Sequence, residues 1–207
     1  MSTPEFSPSA EQNKQAILEV LQRCLPASGS ALEIASGTGQ HVAWFASHLP
    51  GWTWQPTEPQ PNSLGSISAH VAQAGVSNVR SPLVLDVLSD SWLAEAPADA
   101  VAPQFDLIFC ANMLHISPRD TGTALMRGSA RHLAPGGVLV TYGPYLEDEV
   151  PTAPSNLAFD ASLRQRNPAW GVRRREDLER TAATAGLRLA ERYAMPANNL
   201  TLVWRRA

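Results

Sequence analysis

The chain has 207 residues, of which 44% are hydrophobic and 17% charged, a composition typical of a folded globular protein. Its formal net charge of −3 argues against tight electrostatic binding to nucleic acid or to an anionic membrane. The length suits one α/β domain over residues 1–207. Two cysteines, Cys24 and Cys110, are too few for a disulfide framework. Because neither a secretory signal nor a membrane-spanning apolar run is visible, we expect a cytoplasmic protein.

Hydrophobic periodicity predicts strands that alternate with helices. A helix over 9–25, with Ser9 and Gln12 as a capping pair, comes first. The strands predicted next are 31–35, 52–55, 83–85, 105–109 and 138–142. This alternation is typical of a parallel sheet with crossover helices.

The C-terminal part contains a long connection and a predicted hairpin. Residues 143–171 are too long for an ordinary loop, so we expect this segment to cover a substrate. A helix over 176–185 and strands at 187–193 and 200–204 follow. The short connection between those two strands predicts an antiparallel pair.

A glycine-containing turn follows the first predicted strand. Gly37 and Gly39 allow a ligand to approach the backbone closely. A dinucleotide-binding fingerprint requires a third glycine where Val42 stands, and no Walker A lysine follows. The turn therefore departs from both common phosphate-binding patterns.

Two carboxylates follow the next strands. Glu58 comes about twenty residues after the turn, the offset at which nucleotide-binding βαβ units contact a ribose. Asp86 follows the third strand and is placed to accept a hydrogen bond from an adenine amine. The pattern suits S-adenosylmethionine (SAM), a nucleoside without phosphate. The alternative for each residue taken alone is a simple turn or a solvated strand end.

Several motifs resemble those of a known family. Class I SAM-dependent methyltransferases have motifs similar to Glu33-x-Ala-Ser-Gly-Thr-Gly-Gln-His41, Phe105-Asp-x-Ile-Phe-Cys-x-Asn-Met-Leu-His-Ile116 and Leu133-x-Pro-Gly-Gly137. The methyltransferase-like proteins of domain of unknown function 938 have motifs similar to Ala153-Pro-Ser-Asn156, Phe159-Asp-Ala-Ser-Leu-Arg164, Asn167-Pro-Ala-Trp-Gly171 and Met195-Pro-Ala-Asn-Asn-Leu200. The resemblance extends from Asn13 to the last strand.

This resemblance implies a Rossmann-like class I methyltransferase fold. Its sheet would have seven mostly parallel strands with the last strand antiparallel, and helices on both faces. It also implies SAM as cofactor, S-adenosylhomocysteine (SAH) as product and no metal. The implied cofactor contacts are Glu33, Gly37, Gly39, Glu58, Asp86, Val87 (through its backbone N–H) and Asn112. Glu58 stands where such families often carry Asp, and either carboxylate accepts from a ribose.

Methyl transfer depends on alignment of the reactants and exclusion of water, and a base is needed only for a protonated nucleophile. His115 is the candidate base, with shaping of the pocket as its alternative role. Tyr142 is expected either to face the same crevice or to belong to the core. Trp170 is a candidate for lining the substrate pocket.

Further candidate substrate contacts lie near the C-terminus. Asn156, Asp160 and Arg164 recur at four-residue spacing, which places them on one face of a helix. Either Asp160 and Arg164 form an ion pair, or Arg164 binds a carboxylate or phosphate of the substrate. Asn198 and Asn199 are expected either to contact the substrate or to form a turn.

The predicted function is methyl transfer from SAM to a small molecule, without nucleic acid or membrane as partner. One alternative is a SAM- or SAH-binding sensor or scaffold. Another is a protein or RNA methyltransferase, which the acidic pI of about 5.9 disfavours. A nicotinamide dehydrogenase is disfavoured by Val42. The basic run 173–175 is interpreted as the solvated start of a helix.

Overall fold

The computed structural model describes residues 3–94 and 104–207. The helices are α1 (Pro8–Cys24), α2 (Gln40–His48), α3 (Leu64–Ala74), α4 (Asp120–His132), α5 (Pro154–Arg166) and α6 (Arg175–Thr184). The strands are β1 (Gly29–Ile34), β2 (Trp52–Glu58), β3 (Leu83–Val84), β4 (Phe105–Ala111), β5 (Leu133–Leu146), β6 (Arg173–Arg174), β7 (Leu187–Met195) and β8 (Asn199–Arg206).

The strands form one mixed sheet in the order β3-β2-β1-β4-β5-β8-β7. Strands β1 to β5 are parallel to one another, whereas β8 is antiparallel to both β5 and β7. These findings confirm the predicted sheet of mostly parallel strands with an antiparallel last strand. The sequence did not predict β6, a two-residue strand that pairs with the end of β5.

Helices cover both faces of the sheet because side chains alternate along each strand. Leu32 and Ile34 of β1 pack in a cluster with side chains of α4 and α6. Ala31 belongs to the other cluster, together with side chains of α1, α2 and α3. In the part of the chain that the structure describes, no helix is both long and apolar enough to cross a membrane.

The start of α1 differs from the sequence prediction. The side chain of Ser7 caps the helix by accepting a hydrogen bond from the Ala10 backbone N–H at 3.3 Å. Pro8 occupies the first turn, where its missing N–H costs no hydrogen bond. The predicted capping pair of Ser9 and Gln12 is therefore wrong.

The predicted long connection over 143–171 is partly regular structure. Strand β5 extends to Leu146 because β8 and β6 pair with its C-terminal half. Helix α5 then occupies most of the second half, anchored by the buried side chain of Leu163. The backbone N–H of Gly171 donates to the His115 carbonyl at 3.0 Å, which ties the end of the segment to the loop after β4.

Candidate functional site

A cavity of about 470 Å³ lies at the carboxyl ends of β1, β2 and β4. Its volume falls within the range of small-molecule sites, and its position is the one where open α/β sheets bind ligands. Most of its wall is apolar and includes Ile34, Leu85, Val87 and Met113. None of the described residues that line it is a lysine or arginine, so its wall offers no fixed cation to a phosphate.

The two glycines of the turn after β1 have different roles. Gly37 has a φ of +57°, lines the cavity and has open space where a Cβ would lie, so its backbone is accessible to a ligand. Gly39 has a φ of +93°, and a Cβ there would lie 2.6 Å from the Ile67 Cα. Gly39 therefore permits the close packing of the turn against α3 rather than contact with the cavity.

The carboxylates predicted at the strand ends line this cavity. Glu58 accepts a hydrogen bond from the Gly37 N–H at 3.0 Å, and burial raises the pKa of its carboxyl. Asp86 is exposed and accepts from the Leu88 N–H at 2.9 Å through one oxygen. The second oxygen of Asp86 is therefore available to a ligand, and the buried Val87 lies beside it.

Glu33 lies next to the cavity wall in an unusual state. Its side chain is 1% exposed, and neither carboxyl oxygen has a hydrogen bond of ordinary geometry among the described residues. The nearby Ser36 side chain lowers the pKa of this carboxyl, but it offsets the effect of burial only in part. Burial, with a contribution from the Glu58 charge, raises the pKa of Glu33 to about 8. A buried carboxylate without a counter-charge is costly, so a cationic ligand group would stabilise the ionised carboxyl. The ammonium group of SAM fits this requirement.

Sequence reasoning missed three residues that line the same cavity. His41 lines the cavity, and burial and the Lys14 charge lower its pKa to about 4. Ser7 reaches the cavity from the start of α1. The Thr121 hydroxyl is buried without a partner among the described residues. Only His41 belongs to a recognisable motif, so the sequence offered no signal for Ser7 or Thr121.

A second cavity of about 720 Å³ adjoins the first one, and we call it the acceptor cavity. The two cavities share Ser7, Asn112 and Ile116 as lining residues. The described residues that line the acceptor cavity are Ser7, Ser9, Gln12, Asn13, Asn112, His115, Ile116, Tyr142, Pro144, Ser155, Asn156, Phe159, Arg166, Pro196, Ala197 and Asn199. The structure thus brings together the predicted residues Asn112, His115, Tyr142, Asn156 and Asn199.

Other predicted substrate residues do not line the acceptor cavity. Arg164 forms a bidentate ion pair with Asp160, with Nε–Oδ2 and NH2–Oδ1 distances of 2.7 and 3.1 Å. Asp160 also accepts from the Val172 N–H at 2.7 Å. The structure therefore contains the Asp160–Arg164 ion pair that the spacing predicted, and neither residue lines the acceptor cavity. Contact of Arg164 with a substrate anion stays a prediction.

Trp170 and Asn198 also have local roles. The guanidinium of Arg166 lies over the Trp170 ring, 5.2 Å from its centre, and Trp170 is not among the residues that line the acceptor cavity. Asn198 has a φ of +58° and forms the turn between β7 and β8. Its carbonyl accepts from the Asn156 Nδ2 at 2.9 Å, so it positions a cavity residue instead of lining the cavity.

His115 lies on a short 3-10 turn, Met113–Ile116, between the two cavities. Its ring is 6% exposed and makes an edge contact with Phe159 at 5.3 Å between centres. Burial and the charge of Arg173 lower the pKa of His115 to about 4. The imidazole is therefore neutral near pH 7 and able to accept a proton.

Arg173 holds this turn in place. The residue is 6% exposed; its Nε donates to the Leu114 carbonyl at 2.7 Å and its NH2 donates to the Ser117 carbonyl. The expectation that the basic run is entirely solvated is therefore wrong for Arg173. Nothing in the spacing of three arginines distinguishes the buried one.

Tyr142 lies in the C-terminal half of β5 and lines the acceptor cavity. The side chains of Asn13 and Asn199 lie near its hydroxyl and lower the pKa of the phenol, an effect smaller than that of burial. Burial raises the pKa of the phenol, so Tyr142 is a protonated hydrogen-bonding group near pH 7. The residue thus belongs both to the core and to the cavity wall.

Comparison with known proteins assigns the family. A protein family described as being of unknown function, DUF938, matches residues 4–206. The chain belongs to this family. Among the described residues, no cluster of three or more His, Cys, Asp or Glu side chains is arranged to hold a metal ion.

Solved methyltransferases share the fold. CalO1, a methyltransferase in calicheamicin biosynthesis solved with SAH, has 17% identity and a TM-score of 0.72, over 95% of this chain and 55% of that one. Human N-acetylserotonin methyltransferase, solved with SAM, has 15% identity and a TM-score of 0.74, and the match covers 96% of this chain and 53% of that one. An O-methyltransferase family 2 protein from Planctomyces limnophilus, solved with apigenin, has 18% identity and a TM-score of 0.72. This match covers 94% of this chain and 62% of that one. The chain therefore spans little more than half the length of these proteins, and the likeness concerns the fold.

Proposed function

We propose that this protein transfers a methyl group from SAM to a small-molecule acceptor, with residues 1–207 acting as one catalytic domain. The observation that carries the proposal is the first cavity, which lacks lysine and arginine among its described lining residues and lies beside the buried Glu33 carboxyl. A cationic nucleoside without phosphate matches both features. The shared fold with proteins solved with SAH and SAM supports the same ligand.

Each cofactor-binding residue has a role that its position supports. Glu58 and Asp86 line the cavity, where the Glu58 carboxylate would accept from ribose hydroxyls and the second oxygen of Asp86 would accept from the adenine amine. The Val87 backbone and the apolar wall contact the adenine, and Gly37 allows close approach of the ligand. The Glu33 carboxyl compensates the ammonium charge. Asn112 lies where the two cavities meet, and Gly39 maintains the turn.

Bound SAM supplies an electrophilic methyl group on a sulfonium. The residues of this chain orient the acceptor and exclude water, which are the main requirements of in-line methyl transfer. The neutral imidazole of His115 accepts the proton of a protonated nucleophile, or shapes the cavity where the nucleophile arrives deprotonated. Helix α5, with Phe159 against His115, covers the acceptor.

Ligand-linked stability tests cofactor binding. At about 100 times their dissociation constants, SAM and SAH should each increase the free energy of unfolding by about 2.7 kcal/mol, and NAD should not. Denaturant unfolding with and without each ligand measures the stabilisation.

Glu58→Gln should weaken SAH binding roughly tenfold to hundredfold, because a carboxylate that accepts from hydroxyls is lost. Isothermal titration calorimetry measures the change in SAH affinity. Glu19→Gln, an exposed change on α1, serves as the control.

The failure of both ligands to bind would refute the proposal. Incubation of the protein with methyl-labelled SAM and a cell extract then tests turnover. Label in the small-molecule fraction is expected. Label in polymer would favour a protein or RNA methyltransferase, and SAM binding without any turnover would favour a sensor or scaffold.

A further inference from the structure

We propose that the acceptor is a small carboxylate with an apolar, ring-sized body, and that its carboxylate pairs with Arg166. This inference rests on the proposed function, because it concerns the acceptor cavity beside the SAM site. It names a substrate class and a specificity-determining residue. The argument combines the charges of the cavity wall, the availability of Arg166 and the character of the remaining lining.

The wall of the acceptor cavity is electrostatically one-sided. None of its 16 described lining residues is an aspartate or glutamate, and Arg166 is the formally charged one among them near pH 7. His115, the other ionisable base in that wall, is neutral because burial and Arg173 lower its pKa to about 4. An acceptor with an ammonium group would therefore find no counter-charge there. An acceptor with one anionic group would find a counter-charge in Arg166.

The first cavity has the opposite character. Glu58 and Asp86 line it, and Glu33 lies beside it. The acidic side chains of the first cavity favour a cationic ligand there. The arginine of the acceptor cavity favours an anionic ligand in that cavity. This arrangement gives a cationic cofactor and an anionic acceptor different preferred cavities, although the two cavities adjoin.

Arg166 is available for this role, in contrast to its neighbour on α5. Arg164 is engaged in its bidentate pair with Asp160. None of the ion pairs among the described residues involves Arg166. The guanidinium of Arg166 lies over the Trp170 ring, 5.2 Å from its centre, a cation–π contact that favours this placement of the guanidinium before a ligand binds. A guanidinium that is held in this way suits bidentate recognition of a carboxylate.

The rest of the lining suits an uncharged ring that carries polar substituents. Phe159 and Ile116 provide apolar contacts, and Tyr142 provides a phenol. Amide side chains supply both donors and acceptors without charge, and these are Gln12, Asn13, Asn112, Asn156 and Asn199. Since a single cation faces the cavity from the described residues, a polyphosphate would leave most of its charge uncompensated. The match is therefore to a monoanion.

The experiment uses matched sets of probes on the full chain saturated with SAH. Each set contains one ring with a carboxylate, a carboxamide or an aminomethyl group, such as benzoate, benzamide and benzylamine and their 4-hydroxy derivatives. Saturation-transfer NMR ranks the probes, and calorimetry measures dissociation constants for the best set. We expect the carboxylate to bind at least about fivefold more tightly than the amide with the same ring. The amine should bind more weakly than either.

Variants of the arginine assign the preference to one residue. Arg166→Gln should remove the preference for the carboxylate, and Arg166→Lys should retain part of it because the charge remains. Arg188→Gln, an equal change of charge at an exposed position near the start of β7, should leave the preference unchanged. Because Arg166 is exposed, thermal unfolding of the variant should match that of the wild type.

Three results would overturn the inference: no probe binds to the SAH-loaded protein, amines or amides bind as tightly as acids, or the preference survives in Arg166→Gln. SAH binding is measured in the same samples. If SAH binds and the probes show no preference for acids, the acceptor class is wrong and the proposed function stands. If SAH does not bind, the proposed function fails and this inference fails with it.

Discussion

At the scale of single residues, the positions that say most about ligand binding are ionisable side chains that are buried without a counter-charge. Glu33 is the main case, because a carboxyl enclosed at 1% exposure without a hydrogen bond of ordinary geometry in the described structure lowers the stability of the ligand-free protein when it ionises. Binding sites commonly retain such unfavourable groups, since a ligand compensates them. The proposed ammonium contact explains why an acid is present there.

The Glu33 carboxyl predicts a particular pH dependence of stability. Its pKa is about 8 in the folded protein against an ordinary value of 4.5, so between these values the unfolded chain binds fewer protons than the folded one. The free energy of unfolding should therefore fall with rising pH in this window, by at most about 1.4 kcal/mol per pH unit. Glu33→Gln should remove that contribution.

Urea unfolding of the ligand-free wild type and the variant at several pH values across that window measures the effect. The other titrating groups, including His41 and His115, are common to both proteins and cancel in the difference. Parallel stability curves for the two proteins would contradict the prediction. The variant should also bind SAH less tightly, because the charge opposite the ammonium is lost.

At the scale of elements, the end of the segment 143–171 and the short strand β6 that follows it are linked to the loop after β4. Gly171 and Arg173 donate hydrogen bonds to carbonyls of residues 114, 115 and 117. These bonds fix the 3-10 turn that carries His115. An irregular turn beside a site requires such external partners, because its own backbone satisfies few of its polar groups.

Replacement of Arg173 tests this linkage. Arg173→Met leaves the Leu114 and Ser117 carbonyls without these donors and should lower the free energy of unfolding by about 2 kcal/mol. It should also raise the pKa of His115, because a nearby positive charge is lost. Denaturant unfolding and an NMR titration of the imidazole measure the two effects.

Arg174→Met is the matched control for that replacement. Arg174 is the next residue in the chain, is exposed and pairs with Asp148 at the surface, so its loss should change stability little. An unchanged His115 pKa in Arg173→Met would refute the proposed electrostatic contact. Equal effects of the two variants on stability would refute the structural linkage.

At the scale of the whole molecule, β8 joins the parallel half of the sheet to β7. It lies between β5 and β7, and its central residues are buried. Trp204 has no exposed surface, and its Nε1 donates to the Thr141 hydroxyl at 3.1 Å across the β5–β8 pair. This contact connects the C-terminal hairpin to β5, the strand that carries Tyr142.

Truncation of this side chain should destabilise the whole fold. Trp204→Phe removes a buried hydrogen bond and part of a core ring, and should lower the free energy of unfolding by about 2 kcal/mol. Trp170→Phe, at a half-exposed position over α5, should have a smaller effect. Urea unfolding followed by circular dichroism compares the two variants. A cost for Trp170→Phe as large as that for Trp204→Phe would contradict this account of the core.

The sequence by itself determined the alternation of elements, the parallel sheet with its antiparallel last strand, and the cavity-lining positions of Gly37, Glu58 and Asp86. Those features depend on local periodicity and on strand ends, which neighbouring residues encode. Only the tertiary structure decided that Arg164 is engaged with Asp160 while Arg166 faces a cavity, and that Arg173 is buried beneath the His115 turn. The partners of a long arginine side chain come from distant parts of the chain, and their arrangement depends on how α5 and β6 pack against the sheet.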